Sequence, residues 1–229
     1  EEADHFSEKI WQLPETYLCF RPPDLDLEVA PLPAYTNGFV TFGCFNKLAR
    51  MTDEIVSVRA AILHAVPDSK LFLKDKQLDH ESGRNRVLSR FEALDIEADR
   101  LILEGKSPRE EYLKCYGRVD IALSPFPYGG GTTSVEGLWM GVPVITKKGS
   151  HFLSHLGESI AHNSGLSDWI ALDEEEYVAK AVAYASNLES LSELRNGIRE
   201  LILANPLFDV PRFALRFEQA VRAMRKEIR

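Results

Sequence analysis

Three glycines followed by three hydroxyl residues, Gly129-Gly130-Gly131-Thr132-Thr133-Ser134, carry the most evident chemistry in this chain. Glycine tolerates positive φ and lets a ligand approach bare backbone amides. The hydroxyls of Thr132, Thr133 and Ser134 are suited to capping a helix, whose first N–H groups and positive dipole end form an anion site. A phosphate fits that description. So does a capped helix behind an ordinary surface loop, and other residues have to decide between them.

Several side chains bear on the choice. The run Gly43-Cys44-Phe45-Asn46-Lys47-Leu48-Ala49-Arg50 presents two cations, Lys47 and Arg50, which either face a bound phosphate or stand as solvated surface charges. Arg109, Tyr112 and Tyr116 share one helical face by their spacing. A tyrosine there can stack on a base while Arg109 bonds a ribose hydroxyl, or it can pack its helix on a sheet. Glu136, one turn into the helix after the glycines, can accept hydrogen bonds from ribose or pair with the helix N-terminus. Lys147, Lys148 and His151 border the same region. His151, His155 and His162 match no compact zinc pattern and read as surface histidines. The chain has no G-x-S-x-G elbow, no GK[ST] phosphate loop, and no G-x-G-x-x-G turn after its first apolar run, which disfavours nicotinamide and flavin chemistry.

The elements that must hold these residues alternate. Apolar runs at 39–45, 70–73, 101–103, 119–123 and 143–146 read as strands, with a short sixth at 168–172. Between them, Thr52 caps a helix with Ile55, Val58, Ile62 and Val66 on one face, and a second helix spans 82–94. Ser107-Pro108-Arg109-Glu110 has the form of a capping box opening another helix. After Asp173 the pattern is helical at 174–187, 191–204 and 210–229. The implied fold is α/β: a Rossmann-like parallel sheet with helices on both faces, binding its ligand at the carboxyl ends of the strands. Residues 1–37 read as a proline-rich lead-in, with Pro14, Pro22, Pro23, Pro31 and Pro33 and a short helix near 6–11, that wraps over a lobe at 38–229. The chain opens at Glu1 and reads as one piece of a longer polypeptide.

Composition narrows the partners. A net charge of −8 argues against a general nucleic-acid binder, and no apolar run is long enough to span a membrane. Three separated cysteines, Cys19, Cys44 and Cys115, suggest neither a disulfide framework nor a metal site, and point to the cytoplasm.

FGCFNKLAR, then LILEGKSPREEYLKCYGRVDIALSPFPYGGGTTSVEGLWMGVPVIT, then GSHFLSHLGESI and NPLFDVPRF together resemble the carboxyl-terminal lobe of the O-linked N-acetylglucosamine transferases, glycosyltransferase family 41, including bacterial members linked to tetratricopeptide repeats. The resemblance implies the second lobe of a GT-B enzyme, inverting, with no metal or other cofactor. The donor is then a nucleotide-diphosphate sugar, UDP-linked, carrying N-acetylglucosamine or a related hexose. The acceptor is Ser or Thr of a protein received by a first lobe and repeats outside these residues. Carried over by position, Arg50 supports the departing diphosphate and Lys47 contacts the donor. Arg109 and Tyr112 meet ribose and base, Gly130, Gly131, Thr132 and Thr133 grip the diphosphate, and Glu136 meets the ribose. The family usually has lysine where Arg50 stands and commonly arginine at His155. The animal enzyme has histidine at the positions of Tyr112 and Gly131, and aspartate at that of Glu136. Two other classes stay open: a non-catalytic interaction module that keeps the fold, and a sugar-nucleotide epimerase, which needs an acid–base pair not evident near the glycines.

Overall fold

A computed structural model describes residues 5–227. Its centre is a six-stranded, wholly parallel sheet in the order β3-β2-β1-β4-β5-β6, with strands β1 (Thr41–Cys44), β2 (Lys70–Lys74), β3 (Leu101–Glu104), β4 (Ile121–Leu123), β5 (Val144–Lys147) and β6 (Ile170–Ala171). Parallel pairing demands crossover helices, and the apolar strand residues fill both interfaces: Phe42, Leu71, Phe72, Ile121 and Ile145 are fully buried.

The crossovers are α2 (Asp53–Ala65), α3 (Glu81–Glu92), α4 (Arg109–Lys114), α5 (Thr132–Trp139) and α6 (Leu156–His162), and α7 (Glu174–Ala185), α8 (Leu188–Leu203) and α9 (Val210–Glu227) follow β6. The strand order reverses between β1 and β4. From β1 the chain moves outward to β2 and β3; from β4 it moves the other way, and right-handed crossovers put α2 and α3 on the opposite face from α5 and α6. The loops after β1 and β4 therefore part at their carboxyl ends and leave a crevice. Close packing of these two strands depends on Gly43, where a Cβ would lie 2.6 Å from Val119 Cγ1.

Several expectations are corrected. No helix forms at residues 6–11, where Phe6 and Ile10 are exposed and too few apolar groups are buried to hold an isolated turn. The lead-in does contain a helix, α1 (Pro33–Asn37), with Pro33 at its first turn, where a missing N–H costs nothing. The rest of the lead-in lies along the lobe: the Phe20 amide donates to Leu207 O at 3.0 Å, and fully buried Arg195 donates to Ala30 O at 2.6 Å. The capping box at Ser107 does not form. Helix α4 starts at Arg109 with Pro108 as N-cap, no side chain caps it, and Ser107 Oγ is buried without a partner. Residues 228 and 229, expected to end the last helix, lie outside the described residues.

Candidate functional site

The glycine loop runs from the end of β4 into α5, and its hydroxyls behave differently from the expectation. Gly131 is the N-cap and no side chain caps the helix. Ser134 Oγ donates back to Gly130 O at 3.1 Å, while the Gly130 amide donates to Ser124 Oγ at 3.0 Å. Gly129, Gly130 and Gly131 are not among the positive-φ residues. The loop needs glycine for space: a Cβ on Gly130 would come within 2.5 Å of Ser134 Oγ and 2.8 Å of Thr133 Oγ1. Among the described residues, the amides of Gly131, Thr132 and Thr133 have no acceptor within the chain. Those donors, at the positive end of α5, are open to an anion.

The loop after β1 supplies the facing wall. Arg50 Nη1 donates to Gly129 O at 2.7 Å and reaches Tyr128 O at 3.4 Å, so the cation expected above the glycines is seated on them. A guanidinium has donors in reserve, and Nη2 and Nε of Arg50 make no hydrogen bond among the described residues. One side chain can thus hold the loop and still meet a phosphate. Lys47 is exposed on the same loop, and among the described residues its ammonium makes no hydrogen bond or ion pair.

Arg109 and Glu136 are brought together. The Glu136 carboxylate, 8% exposed, receives Arg109 Nη2 at 2.6 Å, and that bond raises the pKa of the guanidinium above its ordinary value. Tyr112 is half-buried, edge-on to Phe45 at 5.7 Å and to Tyr116 at 5.9 Å, with the Arg109 guanidinium 5.7 Å from its ring centroid. Burial pushes the Tyr112 phenol up to about 12, so it stays neutral and hydrogen-bonding at physiological pH. Behind it, fully buried Tyr116, in the turn just past α4, donates its hydroxyl to Thr133 O at 2.8 Å and ties that turn to the start of α5.

The histidines sit apart from these groups in role. His155 Nδ1 lies 2.8 Å from Glu158, which also takes Lys148 at 3.1 Å, and His162 Nδ1 lies 2.7 Å from Ser167 Oγ. The bonds from His155 and Lys148 outweigh burial and hold the Glu158 carboxyl below its ordinary range. No group of three or more possible metal ligands is assembled among the described residues. Two contributors escape sequence reading: Asn46, whose Nδ2 donates to Thr133 Oγ1 at 3.0 Å, and Ser124, which anchors Gly130. Their only signal is that polar residues follow apolar strands on both sides of the switch point.

The sequence model of glycosyl transferase family 41 matches residues 32–217. The SPINDLY protein of Solanum lycopersicum, described as a probable UDP-N-acetylglucosamine–peptide N-acetylglucosaminyltransferase, is 41% identical over 218 residues, which are 95% of this chain and 23% of that protein. The SEC protein of Arabidopsis thaliana, described in the same terms, is 31% identical over 180 residues. Among solved structures, a mutant of the Thermobaculum terrenum O-GlcNAc transferase superposes with a TM-score of 0.87 at 32% identity, covering 95% of this chain and 41% of that one. Anabaena HepE, solved with UDP and glucose, shares the fold at a TM-score of 0.56 and 12% identity. The chain spans about a quarter of the length of the curated relatives it matches.

Proposed function

The chain belongs to glycosyltransferase family 41, and from that premise we propose that it is the donor-binding lobe of an inverting protein O-glycosyltransferase. The donor is a nucleoside-diphosphate sugar, UDP-linked and carrying N-acetylglucosamine or a related hexose, and the acceptor is a Ser or Thr hydroxyl of a protein. The observation that carries the reading is the meeting of the uncapped α5 N-terminus with Arg50, seated 2.7 Å from Gly129 O, at the carboxyl edge where β1 and β4 diverge.

In the proposed reaction the acceptor oxygen attacks the anomeric carbon and the bond to the β-phosphate oxygen breaks. Negative charge then builds on the leaving diphosphate, and fixed donors aimed at it lower the barrier. The amides of Gly131, Thr132 and Thr133, with the spare donors of Arg50 and with Lys47, supply that counter-charge, and Gly130 leaves the space for it. No metal or other cofactor is assigned. The Arg109–Glu136 pair has donors and acceptors left for ribose hydroxyls, and Tyr112 borders the base. This lobe takes the leaving-group side of the reaction; a first lobe outside these residues takes the acceptor. The three cysteines are free and no helix among the described residues is long and apolar enough to cross a membrane, which supports a cytoplasmic placement.

Titration calorimetry of the chain with uridine and guanosine diphosphates tests the reading. Binding is expected, with the uridine compound preferred, and Arg50→Ala weakens the diphosphate without weakening the nucleoside. The isolated chain is expected to transfer no sugar to protein. No heat with either diphosphate overturns the proposal.

A further inference from the structure

Resting on that reading of the crevice, we propose that Arg59, Cys44, Asn46 and Thr133 form a one-directional hydrogen-bond relay that makes the Thr133 hydroxyl an obligate donor into the diphosphate site, with Asn46 as its positioning residue.

The relay starts from an unusual buried charge. Arg59, in the middle of α2, is 3% exposed, and among the described residues no carboxylate pairs with it. Its Nη2 lies 2.9 Å from Cys44 Sγ and 3.4 Å from Leu123 O. A guanidinium only donates, so the sulfur accepts from it and the thiol hydrogen must point elsewhere. Asn46 Oδ1 lies 3.7 Å from Cys44 Sγ and takes that hydrogen. This fixes the amide orientation: with Oδ1 toward the thiol, Nδ2 faces Thr133 Oγ1 at 3.0 Å.

The last link follows from counting hydrogens. Asn46 Nδ2 has no lone pair to offer, so Thr133 Oγ1 is the acceptor, and its single hydrogen is left free. The Thr133 backbone is held independently by Tyr116, which donates to the Thr133 carbonyl, so the side chain cannot swing away with its residue. Thr133 Oγ1 lies beside the glycine loop, 2.8 Å from where a Cβ on Gly130 would stand, and that side is the one left to its hydrogen. A reversed relay, in which Thr133 donates to the amide oxygen, would turn Nδ2 onto a sulfur already receiving Arg59 and leave the thiol hydrogen without an acceptor. Bonds that point one way also polarise one another, which strengthens the terminal donor toward an anion.

The test is calorimetry on the whole chain with uridine diphosphate, guanosine diphosphate and the matching nucleosides, with thermal unfolding run on every variant. Asn46→Ala is expected to weaken the diphosphate by about tenfold, the size of one hydrogen bond to a charged group, and to leave the nucleoside unchanged. On a Thr133→Val background the same substitution should cost nothing further. Asn46→Asp, close in shape but accepting where the amide donates, should weaken the diphosphate more than Asn46→Ala. Cys44→Ser keeps an acceptor and a donor and should bind as the unsubstituted chain does, while Cys44→Ala should not. Equal losses on diphosphate and nucleoside, or additive effects of Asn46→Ala and Thr133→Val, overturn the relay and leave the donor site standing. Failure of the unsubstituted chain to bind any diphosphate overturns the donor-site reading, and the relay with it.

Discussion

Helix α7 and helix α5 both follow a strand of the same sheet, α7 behind Asp173 and α5 opening on three hydroxyl residues, yet only α7 is closed. At α7, Asp173 Oδ1 accepts the Glu176 amide at 2.8 Å, and Glu176 Oε2 accepts the Leu172 amide at 2.7 Å. At α5 the neighbouring hydroxyls turn away: Ser134 bonds the Gly130 carbonyl, and Thr133 is held by Asn46. A closed end contributes stability; an open one keeps donors for something that arrives later. On the proposed function, the contrast separates a helix that serves the fold from one that serves a ligand.

The sharpest way to break the comparison is to fill the space the open end depends on. Gly130→Ala puts a methyl group against the hydroxyls of Thr133 and Ser134, both able to rotate away, so the chain should fold while the site loses its alignment. Diphosphate affinity is expected to fall about tenfold or more, with a small change in unfolding temperature. Calorimetry beside a thermal melt checks it, and an unchanged affinity would sink the claim that this glycine serves the ligand.

How much of this was legible in the chain depends on the range over which each cause acts. Strand and helix order follows from local apolar periodicity, and all six strands were readable, including the two-residue β6. The meeting of Arg109 with Glu136, and of Arg50 with the glycine loop, was foreseeable as a neighbourhood because the parallel fold sends each loop to the same edge. The bonds themselves were not. Asn46 finds Thr133 across 87 residues, and nothing in the local pattern of either announces the other. The caps misled for a related reason. Ser134 and Ser107 are the right residue types in the right places, but a cap is a competition among nearby acceptors, and at Ser134 the Gly130 carbonyl wins.

Opening the closed end sharpens the contrast from the other side. Asp173→Ala removes the acceptor for the Glu176 amide and is expected to lower stability by about 1 kcal/mol, the usual cost of losing such a cap. Nucleotide affinity should stay as it was, because the bond removed lies within the first turn of α7, while the link from α7 to the glycine loop, the Tyr177 hydroxyl on Ser124 O at 2.9 Å, is kept. Urea unfolding gives the first quantity and calorimetry the second; a loss of affinity matching the loss of stability would mean that the two helix ends are not functionally distinct.

The smallest effect belongs to a residue that has the sequence of a cap and none of its bonds. Were Ser107 the N-cap of α4, Ser107→Ala would cost about as much as Asp173→Ala. In the structure the cap position belongs to Pro108, and Ser107 Oγ is buried with no hydrogen-bond partner, a group whose burial costs free energy and returns none. Its removal is therefore expected to leave stability unchanged or to raise it by a few tenths of a kcal/mol in urea unfolding. A loss near 1 kcal/mol would show that the hydroxyl caps α4 in solution, and would place α4 with α7 among the closed helices rather than with α5 at the crevice.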